Sequence, residues 1–228
     1  KALSTCNEPS NFCRSARPRL GGRCGSCVGK RLRGRPATAP RANAERVRAV
    51  RASLNVDGGS RRHRACLIAL AGLPGSGKSH LAHAVQIATD AVVLRTDEVR
   101  RVLFPKPSYS PEESGVVYMT CFATMRALLH DKHAVIFDGT NGRRSGRRLF
   151  AAIARIEGAE YASVLVHASP DLVRERIGRR AAGLAPAFGS DAGVAIFERM
   201  ASTEEYGGHF DLVVDTGADI GPAVHQLV

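Results

Sequence analysis

Tryptophan is absent from the chain and aromatic residues make up only 5% of it, so the base-stacking platforms of a strong single-strand nucleic-acid binder are missing. No run of roughly 18 apolar residues is present to span a bilayer, and no secretory apolar segment stands near the start. A membrane partner is therefore not expected. The six cysteines do not form the pattern of a disulfide framework, which argues for a reducing compartment. Cytoplasmic location is the expectation.

Acidic residues are scarce in one part only. Residues 1–65 hold 16 Lys and Arg against 3 Asp and Glu, whereas residues 66–228 hold 17 against 18. The formal charge of +12 thus belongs to the leader, and the counterion-release argument for nucleic-acid binding does not reach the remainder. The leader, residues 1–62, carries Gly21-Gly22, Gly34, Pro36, Pro40 and Gly58-Gly59 among its arginines. Such a composition reads as a disordered basic tail. Val47, Val50 and Leu54, flanked by Arg46, Arg48 and Arg51, would line one side of a short helix, as in organellar transit peptides; an organellar address is the alternative. Cys24 and Cys27 have the CxxC spacing of a zinc knuckle, but Cys6 and Cys13 are too far apart to complete one, and incidental thiols are the favoured reading.

From Cys66 onward the pattern changes. Short apolar runs at Cys66–Ala71, Ala91–Leu94, Ala134–Phe137, Tyr161–His167 and Phe210–Val214 alternate with helical stretches. The helices are expected near Lys78–Ala88, Asp97–Leu103, Glu112–Asp131, Ser145–Glu157, Pro170–Arg180 and Asp191–Tyr206. Continuous rather than alternating apolar runs suit strands covered on both faces. The expected fold is α/β, a doubly wound, mostly parallel five-stranded sheet over residues 63–228.

Gly72-Leu73-Pro74-Gly75-Ser76-Gly77-Lys78-Ser79 satisfies GxxxxGK[ST] between the first strand and the first helix of this region. Glycines at 72, 75 and 77 let main-chain N–H groups, including those near Pro74 and Ser76, wrap a β-phosphate. Lys78 adds a charge that bridges phosphates, and Ser79 offers a hydroxyl to Mg²⁺. The helix dipole points at the same anion. ATP and Mg²⁺ are the expected ligands of a P-loop NTPase fold.

Two further boxes resemble a known group: Thr96-Asp97-Glu98-Val99-Arg100 after the second strand, and Phe137-Asp138-Gly139-Thr140-Asn141 closing the third. With Arg174–Arg180 and Ser190-Asp191-Ala192 they resemble the AAA_33-type P-loop kinases, akin to polynucleotide 5′-kinase domains, gluconate kinase and zeta-toxin kinases. The resemblance covers about residues 66–217 and implies phosphoryl transfer to a hydroxyl. Asp97, after a strand taken to lie beside the phosphate loop, is the expected base, or a helix cap. Arg100, one turn on, is placed to grip substrate. Asp138 is the second expected Mg²⁺ residue, through water or through Ser79. Among the arginines of the helix expected at Pro170–Arg180, Arg176 and Arg180 share a face and are expected to neutralise transition-state charge. Gly139 stands where a motor ATPase would carry a second acid. His80 and His83 lack a third close ligand and read as ordinary helix residues.

These readings converge on a kinase using ATP to phosphorylate a small-molecule hydroxyl. A polynucleotide 5′-hydroxyl kinase and an ATP-binding switch without transfer are the alternatives.

Overall fold

The structure, a computed structural model, describes residues 39–54, 56, 64–184, 193–202 and 206–228. The leader cysteines, the Ser190-Asp191-Ala192 triplet and most of the segment after Ala181 lie outside the described residues.

Five strands, β1 (Cys66–Ala71), β2 (Val92–Arg95), β3 (Ala134–Asp138), β4 (Glu160–His167) and β5 (Leu212–Asp215), form one sheet in the order β2-β3-β1-β4-β5. Every pairing is parallel. The reason is visible in the strands themselves. Leu67, Ala69, Val92, Leu94, Val135 and Phe137 enter one apolar cluster, while Ile68, Leu70, Val93, Ala134 and Ile136 enter another on the opposite face. A strand buried on both faces needs a helix over each, and the crossovers supply them.

The helices are α1 (Ala39–Ser53), α2 (Lys78–Thr89), α3 (Thr96–Leu103), α4 (Pro111–His130), α5 (Arg144–Ile156), α6 (Pro170–Ala181), α7 (Val194–Ala201) and α8 (Gly221–Leu227). Helix α4 opens on Pro111 with Ser110 as its cap: the Ser110 hydroxyl accepts the Glu113 N–H at 3.2 Å. The Glu113 carboxylate in turn accepts the N–H of Ser108 at 2.6 Å and of Tyr109 at 3.2 Å. The cap satisfies one donor that the first turn leaves without a partner, and Glu113 ties the preceding loop to the helix start. Among the described residues no helix is long and apolar enough to cross a membrane.

Two expectations need correction. The boundary at residue 62 cuts through a compact unit that spans Ala37–Val228. Helix α1, assigned to the basic leader, buries Val50 completely in the cluster beneath α3 and α4, with Leu54 and Val56 packed at its edge. Arg51 ties it to Asp131 at 2.6 Å. The Val47, Val50, Leu54 stripe that resembled a targeting face is a core face. Second, β2 is not beside β1, because β3 lies between them. Asp97 therefore sits two strands from the phosphate loop, and Asp138 is the carboxylate on the adjacent strand.

Candidate functional site

The strand ends β1, β2 and β3 deliver three segments to one side of the sheet, where open α/β folds bind ligands. At Gly72 the chain turns with φ 151°, and a Cβ there would lie 2.2 Å from the Val166 carbonyl oxygen. At Gly77, the cap of α2, φ is 93° and a Cβ would strike Thr216 at 2.7 Å. These are positions only glycine can fill. Beneath the loop, Thr216 donates its hydroxyl to the Ser76 carbonyl at 2.8 Å. Arg176 then holds Thr216 by two bonds, to Oγ1 at 2.7 Å and to the carbonyl at 2.8 Å.

Lys78 is 8% exposed and its ammonium donates to the Leu73 carbonyl at 2.8 Å. Burial lowers its pKa; the nearby charges of Asp138 and Asp97 work against that shift and Arg180 adds to it. The ammonium is thus held among acids in a site that withholds water from it. Such a group gains from the arrival of a polyanion. Ser79 donates to Asp138 Oδ2 at 2.7 Å, and Arg95 Nε stands 3.4 Å from the same oxygen. A hydroxyl and a buried carboxylate oxygen in contact form a hard-oxygen donor pair of the type Mg²⁺ takes beside phosphates. Among the described residues there is no cluster of three His, Cys, Asp or Glu for an all-protein metal site, so the pair fits a metal shared with a nucleotide.

A cavity of about 360 Å³ extends from this phosphate end. Pro74, Lys78, Ser79 and Asp138 line it together with Thr96, Asp97, Arg100, Tyr109, Ser114 and Tyr118, and the charge of Asp97 is felt at Lys78. Helix α7 contributes Ile196, Arg199 and Met200. Asp97 and Arg100 face it together, as their spacing on α3 requires. The cap position of α3 is Arg95, with no side-chain cap bond, so Asp97 is not the cap.

Other predicted residues are placed differently. Arg100 is 6% exposed and its guanidinium is ion-paired with Glu113 and bonded to Ser114 at 3.3 Å. Its charge is thus already paired within the protein, although the side chain borders the cavity. Arg176 is not among the cavity's lining residues; it buttresses the phosphate loop from behind through Thr216. Arg180 is felt electrostatically by Lys78, which sets it on the loop side. Arg174 and Arg179 pair with Asp171 and Glu175 on the exposed face of α6. Arg144 reaches the Gly207 carbonyl at 3.1 Å and is a loop tie. His80 and His83 are exposed.

Sequence reasoning missed Arg95, Tyr109, Ser114, Tyr118, Thr216 and the α7 residues. A signal existed for two of them. Arg95 closes an apolar strand, where a charge must have a partner, and Thr216 directly follows the fifth strand, at the ligand end of the sheet. The others are assembled by packing and carry no local mark.

The AAA_33 family model, described as an AAA domain, matches residues 67–203. Proteins of Mycobacterium tuberculosis and Mycobacterium bovis, both described as uncharacterized, are 32% identical over 178 residues, covering 70% of this chain and 34% of theirs. The chain thus spans about a third of the length of the curated relatives it matches. Among solved structures, the Mycobacterium tuberculosis APS kinase CysC in complex with AMPPNP and APS superposes with a TM-score of 0.57 at 19% identity, over 72% of this chain and 95% of that one. Kti12 of Chaetomium thermophilum in complex with ADP-AlF3 gives 0.55 at 20% identity, over 71% and 94%. A gluconokinase from Sinorhizobium meliloti gives 0.50 at 20%, over 73% and 91%. At these identities the likeness is one of fold.

Proposed function

The chain belongs to the AAA_33 family, and on that premise we propose that it is an ATP-dependent kinase which phosphorylates a hydroxyl of a small molecule. One observation carries the reading: Lys78, Ser79 and Asp138 line the same cavity as Asp97, Thr96 and Ser114. Phosphate-binding groups and a carboxylate base thus face one volume, of the size of small-ligand sites. Nucleotide-bound relatives of the same fold, with AMPPNP or ADP-AlF3, support the nucleotide end.

In this reading the acceptor hydroxyl lies against Asp97, which orients it and takes its proton as the oxygen attacks the γ-phosphorus. The β–γ bridging P–O bond breaks, ADP departs with the electron pair, and the proton on Asp97 passes to solvent. Lys78 exchanges its bond to the Leu73 carbonyl for phosphate oxygens. Ser79 and Asp138 would hold Mg²⁺, whose chemistry is to neutralise phosphate charge. Arg95, beside Asp138, keeps that carboxylate oriented. Arg180 supplies positive charge on the loop side, while Arg176 holds the loop's shape.

Incubation with γ-labelled ATP and a panel of neutral sugars, nucleosides, aminoglycosides and 5′-hydroxyl oligonucleotides tests the reading. Label transferred to a small molecule is expected. Transfer to oligonucleotides alone would replace this reading with a polynucleotide 5′-kinase, and ATP bound without transfer to any acceptor would replace it with a nucleotide-dependent switch.

A further inference from the structure

Resting on the kinase reading above, we infer that the acceptor is an uncharged hydroxyl compound, and that Glu113 is the specificity-determining residue that makes it so by holding the Arg100 guanidinium away from any anionic group. The charges of Arg95 and Arg100 each face a carboxylate, although the Nε of each is buried without a hydrogen-bond partner among the described residues. Arg95 bonds Glu98 at 2.8 Å and lies 3.4 Å from Asp138. Arg100 is paired with Glu113, and both side chains are nearly enclosed, at 7% and 6% exposure. Arg199 lines the cavity from an exposed position, where solvent and salt screen its charge. An anionic acceptor would have to enter a part-buried space beside the polyphosphate of ATP, which would engage Lys78, and among the described residues the other enclosed cations of the lining, Arg95 and Arg100, already face carboxylates.

Glu113 is itself firmly fixed. Besides Arg100, it accepts the Ser108 N–H at 2.6 Å, the Ser108 hydroxyl at 2.7 Å and the Tyr109 N–H at 3.2 Å. Burial works against its charge, but these bonds outweigh it and hold its pKa down at about 2. The pair therefore stays charged and closed at neutral pH. The same bonds hold Tyr109 in a left-handed backbone conformation, φ 55°, uncommon for a bulky side chain and found where surrounding structure enforces it. Its ring lies 4.6 Å from the Arg100 guanidinium carbon and lines the cavity. Beside Asp97 and Arg100, the cavity has an aromatic and hydroxylic wall from Tyr109, Tyr118 and Ser114. Such a wall matches the C–H face and hydroxyls of a sugar, nucleoside or related ring better than a carboxylate or phosphate.

The test compares matched acceptors differing by one anionic group: glucose with gluconate, ribose with ribose 5-phosphate, adenosine with adenosine 5′-monophosphate. Whichever pair is phosphorylated, kcat/KM is expected to favour the neutral member by about 10²-fold or more, the order for leaving one part-buried charge unpaired. Glu113→Gln can keep the Oε2 acceptor for Ser108 but removes the charge, and with it the Oε1 acceptor shared by Arg100 and Tyr109; it should narrow the preference about tenfold by lowering KM for the anionic member. Adding Arg100→Met should remove that gain. Preference for the anionic member by the unmodified protein would overturn the inference and leave the kinase reading intact, and this comparison needs no variant to fold. A Glu113→Gln protein that melts normally, binds ATP and keeps the full neutral preference would also overturn it. ATP binding with no transfer to any of these pairs or to any acceptor of the wider panel would overturn the kinase reading, and this inference with it.

Discussion

The two groups of residues that line the cavity are built in opposite ways. At the phosphate loop, eight consecutive residues, Gly72 to Ser79, follow β1 and open α2, and in the proposed reading phosphate meets main-chain N–H groups, one lysine and one hydroxyl. At the acceptor end, Asp97 and Arg100 come from α3, Tyr109 from the loop before α4, Ser114 and Tyr118 from α4, and Ile196 and Met200 from α7. Phosphate is recognised by backbone, which a short glycine-rich string can shape. An acceptor is recognised by side chains whose meeting depends on how four elements pack. The first arrangement tolerates change around it; the second rests on its scaffold, which includes α1.

If that contrast holds, substitutions at the two ends should separate nucleotide affinity from transfer. The largest effect is expected for Asp97→Asn, with a fall in transfer of about 10²–10⁴-fold and little change in ATP affinity, the amide keeping the shape but not the basicity. Equal losses of binding and turnover, measured by calorimetry and labelled-ATP assay, would break the separation. Lys78→Ala should cost about 10²–10³-fold in turnover, as for loss of one transition-state charge donor, and should also weaken ATP binding. Unchanged affinity would remove Lys78 from the phosphate end.

The scaffold claim is sharpened by Val50→Asp. A carboxylate at this fully buried position should destabilise the fold by about 3 kcal/mol or more. Hydrogen exchange should show α3 and α4, on which α1 packs, losing protection before α2. Uniform loss, or none, would show that the acceptor end does not depend on α1. A smaller effect is expected at Thr216→Ala, which removes the hydroxyl bond to Ser76 and the Oγ1 acceptor for Arg176. ATP affinity should fall about tenfold, the order of a hydrogen bond to a charged partner, with kcat nearly retained.

The smallest effect concerns pH. The Glu113 pKa in the folded chain is held at about 2 from an ordinary value of 4.5. Its contribution to stability is therefore fully present above about pH 4.5 and is lost as pH falls toward 2. The difference in melting temperature between the unmodified protein and Glu113→Gln should shrink through that window. A difference that grew on acidification would contradict the direction of the shift.

The α/β pattern, the five strands and the phosphate loop follow from local chemistry: apolar runs of strand length, and glycines at positions whose φ no side chain tolerates. These features need only neighbours in sequence, so they are legible there. The Asp97 box was legible too, through its place after a strand, although its neighbour across the sheet was not. Sheet order is set by crossovers, and those put β3 rather than β2 beside β1. Likewise α1 looked like part of a basic tail because its arginines dominate its composition, while one buried valine and a stripe at helical spacing bind it to the core. Arg100 shows the division most plainly. Sequence alone determines that a guanidinium stands one helical turn from Asp97; only the packing of α4 against α3 decides that Glu113 meets it, because an ion pair between separate helices is a product of tertiary geometry and leaves no periodic mark in the chain.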